Sequence, residues 1–160
     1  VIGAPVIIGI DPGTACGWAI LRGDGTRIAS GTWDLSSRRH EGGGMRYLRV
    51  RRHVEEMLSQ FTVQQLAYEE VRRHMGVDAA HVYGGIVAMI GSVCEERAVP
   101  FSAIPVGTVK KLATGKGNAS KDMMVLASRA MWGDDAPRGL GEDDEADALF
   151  VALAAVRGLA

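Results

Sequence analysis

A chain of 160 residues with 47% hydrophobic and 23% charged residues has the size and balance of one folded domain over residues 1–160, which excludes a disordered or coiled-coil chain. No run approaches the roughly 20 apolar residues of a membrane helix and no basic stretch with a secretory core opens the chain, so a cytoplasmic protein without a membrane partner is expected; the missing initiator Met suggests processing or trimming. The formal net charge of -1 is a cancellation: all four lysines (Lys110, Lys111, Lys116, Lys121) fall within 12 residues, while residues 134–147 hold seven of the nineteen acids and one arginine, so that segment carries -6 and the remainder +5.

In chain order, short apolar runs at 5–10, 16–21 and 27–35 are separated by Asp11-Pro12-Gly13 and Gly23-Asp24-Gly25. They predict three strands in an antiparallel meander. Leu48, Val50, Val54, Met57, Leu58 and Phe61 recur at helical spacing over 45–61, with Arg46, Arg49, Arg51, Arg52, Glu55 and Glu56 largely on the other face. A strand over 65–71, a long helix over 77–97 and a strand over 101–106 follow, then helices over 108–114, 120–132 and 142–157. Three strands followed by alternating helix and strand predict an α/β domain with a mixed sheet. Cys16 and Cys94 sit in apolar segments and read as buried thiols. His40, His53, His74 and His81 show no zinc-ligand spacing.

Acidic side chains stand at three informative places. Asp11 ends the first strand at a Pro-Gly turn, where its side chain can project from a sheet edge, although aspartate there also suits ordinary turn chemistry. Glu69 and Glu70 follow apolar residues in an expected central strand, and alternation puts one on each sheet face without choosing between them. Asp144 and Asp147 are three apart and share a helical face that Ala148 and Val151 continue toward the core. Asp143 and Glu145 are expected to point to water. Each place has a plain alternative: a turn, a strand end, an acidic first turn favoured by the helix dipole. Brought to one sheet edge, these carboxylates would repel each other and call for a divalent cation, with hard oxygen ligands selecting Mg2+ or Mn2+. Two such ions can promote hydrolysis of a phosphodiester, and the lysine window with Gly115 and Gly117 suits phosphate contact.

The ordered set Ile8-Gly9-Ile10-Asp11-Pro12-Gly13-Thr14, Tyr68-Glu69-Glu70-Val71, Val109-Lys110-Lys111 through Gly115-Lys116-Gly117 to Ser120-Lys121, and Asp144-Glu145-Ala146-Asp147-Ala148-Leu149 resembles the RuvC family of Holliday junction resolvases, the short form resembling its bacterial and phage-encoded branch. The resemblance implies an RNase H-like fold with a five-stranded mixed sheet and helices on both faces. It also implies a homodimer that makes paired nicks in four-way and other branched DNA, in a bacterial cell or a phage-infected host. By the same resemblance Asp11, Glu69, Asp144 and Asp147 hold Mg2+, with Mn2+ able to substitute, and Lys110 and Lys121 lie near the scissile DNA, Lys121 assisting catalysis. Lys111 and Lys116 join them as DNA-binding residues. Where family members carry an aromatic residue that inserts at the junction centre, this chain has Arg72, Arg73 and His74, so phosphate binding by Arg72 and Arg73 is expected instead. Gly84, Ala88 and Gly91 form a small-residue stripe that suits either packing on the protein's own sheet or a two-fold contact between subunits.

Competing readings are an actin-like phosphate-binding ATPase, suggested by Asp11-Pro12-Gly13-Thr14, a noncatalytic junction-binding module, and a related nuclease that processes structured RNA.

Overall fold

The computed structural model describes residues 3–160. Residues 6–11 read VIIGID, apolar on both sides, and they form the central strand β1 (Val6–Asp11), covered on both faces. β2 (Ala15–Arg22) and β3 (Arg27–Asp34) return antiparallel from it. The turn between them is closed by the Asp24 carboxylate, which accepts from the Thr26 N–H at 2.9 Å, and by Gly25 at φ 88°. After α1 (Met45–Gln60), β4 (Val63–Glu70) pairs parallel to β1. α2 (Val77–Glu96) leads to β5 (Phe101–Pro105), parallel to β4, and the sheet order is β3-β2-β1-β4-β5. α3 (Val106–Thr114), α4 (Lys121–Trp132), a single 3-10 turn (Gly133–Asp135) and α5 (Glu142–Val156) complete the chain.

Strand alternation divides the core in two. Ile8, Ile10, Ile20 and Leu66 face α1 and α2, where Val50, Val54, Ile86 and Ile90 are buried; Ile7, Ala19, Leu21, Ala67 and Ile104 face α5, with α3 and α4 outside it. The mixed five-stranded α/β sheet with helices on both faces is therefore the architecture expected from the sequence. Cys16 and Cys94 are buried free thiols, also as expected. Most boundaries shift by one or two residues; the fifth strand, for example, stops at Pro105, which cannot donate to the ladder, and α3 starts directly at Val106.

α5 explains how the site is assembled. Its residues from Ala148 to Ala155 are all buried, and its small side chains lie directly on the sheet. A Cβ at Gly9 would overlap the Ala148 carbonyl and Ala152, and one at Gly17 would overlap the Asp144 carbonyl. Two glycines facing the same side of adjacent strands thus let the helix backbone settle against β1 and β2.

α2 corrects one expectation. By length and composition it is apolar enough to cross a membrane, although no such run was expected. Ile86, Ile90, Val93 and Cys94 are buried in the core shared with α1, while most of the helix is not buried. Its other face carries the small-residue stripe, which splits. Gly91 packs near Phe101, whereas nothing approaches the position of a Gly84 Cβ and Ala88 is exposed. Packing on the protein's own sheet therefore accounts for Gly91 and leaves Gly84 and Ala88 uncovered.

Candidate active site and nucleic-acid interface

Asp11 is the last residue of β1 and shares the α5 side of the sheet with Ile7 and Gly9. In β4 the same alternation puts Ala67 and Glu69 toward α5. Glu69 is 7% exposed, while Glu70 faces the other way and pairs with Arg72 at 3.4 Å. Of the two neighbours, Glu69 is thus the one on the α5 side with Asp11. Asp144 and Asp147 sit in the first turns of α5, which Gly9 and Gly17 seat on the sheet. Three elements bring the four carboxylates to one end of the sheet.

Their charges are in conflict. Asp11 is held well above the usual carboxylate range by burial, then by the charges of Glu69, Asp147 and Asp144. Burial and Asp147 push Glu69 up to about 7, with Lys110 opposing. Asp147 is pushed up to about 7 by burial and Asp144, against Lys110 and Lys121. Asp144 is raised by burial and Asp143. Asp147 Oδ1 is buried and has no hydrogen-bond partner. Among the described residues no group of three or more His, Cys, Asp or Glu side chains stands close enough to hold a metal ion as placed. The hard oxygen donors and the orphaned buried oxygen of Asp147 suit a divalent cation that keeps water and phosphate oxygens in its shell.

The cations divide by depth. Lys110 is partly buried and near enough to Glu69 and Asp147 to oppose their shifts. Lys111, Lys116 and Lys121 are exposed. Lys121 Nζ donates to Asp143 Oδ2 at 2.7 Å. Gly115, at φ 79°, closes α3 as its left-handed C-terminal cap, which accounts for that glycine without any ligand. Arg73, His74, Arg46 and Lys121 line a cleft of about 750 Å³ with Pro12, Gly13 and Thr14 of the turn after Asp11. Arg72 is exposed beside it.

Two expectations for neighbouring charges are corrected. Asp143 does not point freely to water but pairs with Lys121, and Glu145 accepts from Ser30 Oγ at 2.5 Å with Arg27 at 3.9 Å, bracing α5 against β3. Of the helical arginines, Arg46 donates to the Leu35 carbonyl and Arg49 to Glu41 and the Ser36 carbonyl, so both order the loop before α1. Arg51 pairs with Glu55 and Glu96. Gly9, Gly17 and Tyr83, whose hydroxyl reaches the backbone at Glu69, were not singled out by sequence reasoning. For the two glycines the signal was present, as glycine at facing positions of apolar strands marks a close backbone approach. Tyr83 gives no such signal, because its partner is main chain.

Residues 7–155 match the family described as Crossover junction endodeoxyribonuclease RuvC. The chain belongs to the RuvC family. It is 30% identical to Crossover junction endodeoxyribonuclease RuvC of Anaeromyxobacter sp. (strain Fw109-5) over 92% of this chain and 71% of that one. Its likeness to the protein of the same name from Heliobacterium modesticaldum is 26% identity over 96% and 95% of the two chains. The structure of T. thermophilus RuvC in complex with Holliday junction substrate superposes with a TM-score of 0.80 at 27% identity, covering 96% of both chains. The RuvC match spans all three elements that carry the carboxylates.

Proposed function

We propose that this RuvC-family chain is a structure-selective endodeoxyribonuclease that resolves four-way (Holliday) DNA junctions, and acts on other branched DNA, by paired metal-dependent phosphodiester hydrolysis. The observation that carries the reading is the convergence of Asp11, Glu69, Asp144 and Asp147 beside Lys110 and Lys121, in a fold shared with a RuvC whose structure holds a Holliday junction.

In this reading the four carboxylates hold divalent metal, Mg2+ in the cell with Mn2+ able to replace it. When bound, the metal supplies Lewis acidity toward the attacking water and the leaving oxygen. Lys110, beside Glu69 and Asp147, favours their ionised, metal-binding forms. Lys121, exposed and paired to Asp143, exchanges that partner for the phosphate and stabilises charge developing on it. Lys111, Lys116, Arg72 and Arg73 bind the DNA backbone flanking the cut.

A second copy of the chain completes the arrangement. Gly84 and Ala88 leave a bare small-residue face on α2. A symmetric pair joined there presents one site to each of two opposed strands of a junction. Such an enzyme works where the chromosome is, in the cytoplasm of a bacterium or of a phage-infected host. The family match gives the ATPase alternative no support, and substrate comparison separates the RNA-processing and noncatalytic alternatives.

The test is Asp147→Asn. It should abolish Mg2+-dependent nicking of a four-way junction, a loss of at least about 1000-fold, on the scale of losing a principal source of transition-state charge stabilisation. Junction binding should remain within a few-fold of wild type. Wild-type cleavage by this variant would sink the assigned site.

A further inference from the structure

The ladder with β1 gives out just before Glu69, while the ladder with β5 still pairs Glu69 with Ile104. The pairing of β4 with β1 has its last pair at Ile10–Tyr68, one residue before Glu69. On the other side Glu70 lies opposite Pro105, which has no N–H to donate. Val71 then leaves the sheet, and a side chain takes over from the strands. The Tyr83 hydroxyl accepts from the Val71 N–H at 3.1 Å and donates to the Glu69 carbonyl at 2.9 Å. Both capacities of the phenol are spent on the two residues that bracket the end of β4.

Tyr83 is well placed to hold anything it grips. It precedes Ile86 by one turn of α2, and Ile86 and Ile90 are fully buried. Its ring packs against His74, with centroids 4.9 Å apart and the planes at 48°. His74 belongs to the segment of Arg72 and Arg73, and Val71, Arg73, His74 and Tyr83 line one cleft with Thr14 and Lys121. Burial raises the Tyr83 pKa, so the hydroxyl keeps the proton it donates. One aromatic side chain therefore touches both the strand end that carries Glu69 and the cationic segment after it.

The geometry points to Tyr83 as a positioning residue of the nuclease: its hydroxyl fixes the strand end that presents Glu69 to metal, and its ring orders the Arg72 to His74 segment for DNA. Naming metal and DNA here rests on the function proposed above. Tyr83 itself touches neither and acts through the backbone and through His74.

Tyr83→Phe removes only the hydroxyl, and Tyr83→Leu removes the ring as well. Three measurements on the full-length protein read the result: Mn2+ affinity by calorimetry without DNA, hydrogen exchange at the Val71 amide, and the Mg2+ dependence of junction cleavage. In Tyr83→Phe the Mn2+ affinity should fall about 3- to 10-fold, the scale of one lost hydrogen bond in a positioned site. Val71 exchange should accelerate, and half-saturating Mg2+ should rise by a similar factor, with junction affinity within about twofold of wild type. Tyr83→Leu should show the same metal defect and a further several-fold loss of junction affinity. A purely structural residue would lower the thermal midpoint and leave the metal affinity alone, so wild-type Mn2+ affinity in Tyr83→Phe overturns the hydroxyl's role. Equal junction affinity in the Phe and Leu variants overturns the ring's role. Wild-type protein that binds Mn2+ but leaves junctions intact refutes the nuclease function itself and not the clamp.

Discussion

Asp147 combines a raised pKa with an orphaned oxygen. Its Oδ1 is buried without a partner, and burial and Asp144 push its pKa up to about 7. In metal-free protein at pH 7.5 the ionised carboxylates strain the fold, so Asp147→Asn, expected to abolish nicking, should at the same time stabilise the metal-free protein by on the order of 1 kcal/mol. Equal or lower metal-free stability of the variant in urea unfolding would argue against that strain. The pH dependence follows from the same raised values. Below about pH 4 these carboxyls are protonated in both folded and unfolded chains. As pH rises, the unfolded chain releases protons that Glu69 and Asp147 retain up to about 7 in the fold. Their contribution to stability is thus present at low pH and lost as pH climbs through about 7, so the thermal midpoint of metal-free protein should fall over that range. Saturating Mg2+ should flatten the fall, and identical slopes with and without Mg2+ would count against these carboxylates as its ligands.

At the level of elements, the seating of α5 decides whether two acids near its start meet two from the sheet. Gly17→Ala places a methyl against the Asp144 carbonyl and should destabilise the fold by about 1–3 kcal/mol, the usual range for overpacking. Catalytic turnover should drop more than junction affinity, because Asp144 and Asp147 move while the lysines stay; equal losses of both would point to general misfolding. The elements themselves were legible in the sequence, since apolar runs, turn residues and helical spacing placed all five strands and the five α-helices nearly where they stand. Legible too, through motif order, was that these four acids would gather in one place. The pairing of Asp143 with Lys121 and of Glu145 with Ser30 and Arg27 was not, because helical spacing says which residues share a face and not which partner waits there. Nor was the Tyr83 clamp, which links α2 to main-chain atoms and leaves no side-chain pattern to read.

For the whole molecule, the cancellation behind a net charge of -1 has a spatial form. The acids of residues 134–147 are divided between the site (Asp144, Asp147), braces on Arg129 and Arg27 (Glu142, Glu145), the Lys121 partner Asp143, and exposed Asp134 and Asp135. The exposed lysines and arginines remain available to phosphate. Junction affinity should therefore fall steeply with salt, and Lys116→Ala should make the log–log slope shallower by about 1; an unchanged slope would remove Lys116 from the interface. Two-fold assembly through the bare face of α2 predicts that Gly84→Arg yields monomers that nick without pairing their cuts. The most direct test of the central claim is to incubate wild-type protein in Mg2+ with a four-way DNA junction, a linear duplex of matched sequence and a structured RNA, and to map both strands. Symmetric nicks on opposed strands of the junction, with duplex and RNA left intact, is the predicted result. Equal cutting of the linear duplex, preferential cutting of the RNA, or binding of the junction with no cut at all would contradict it.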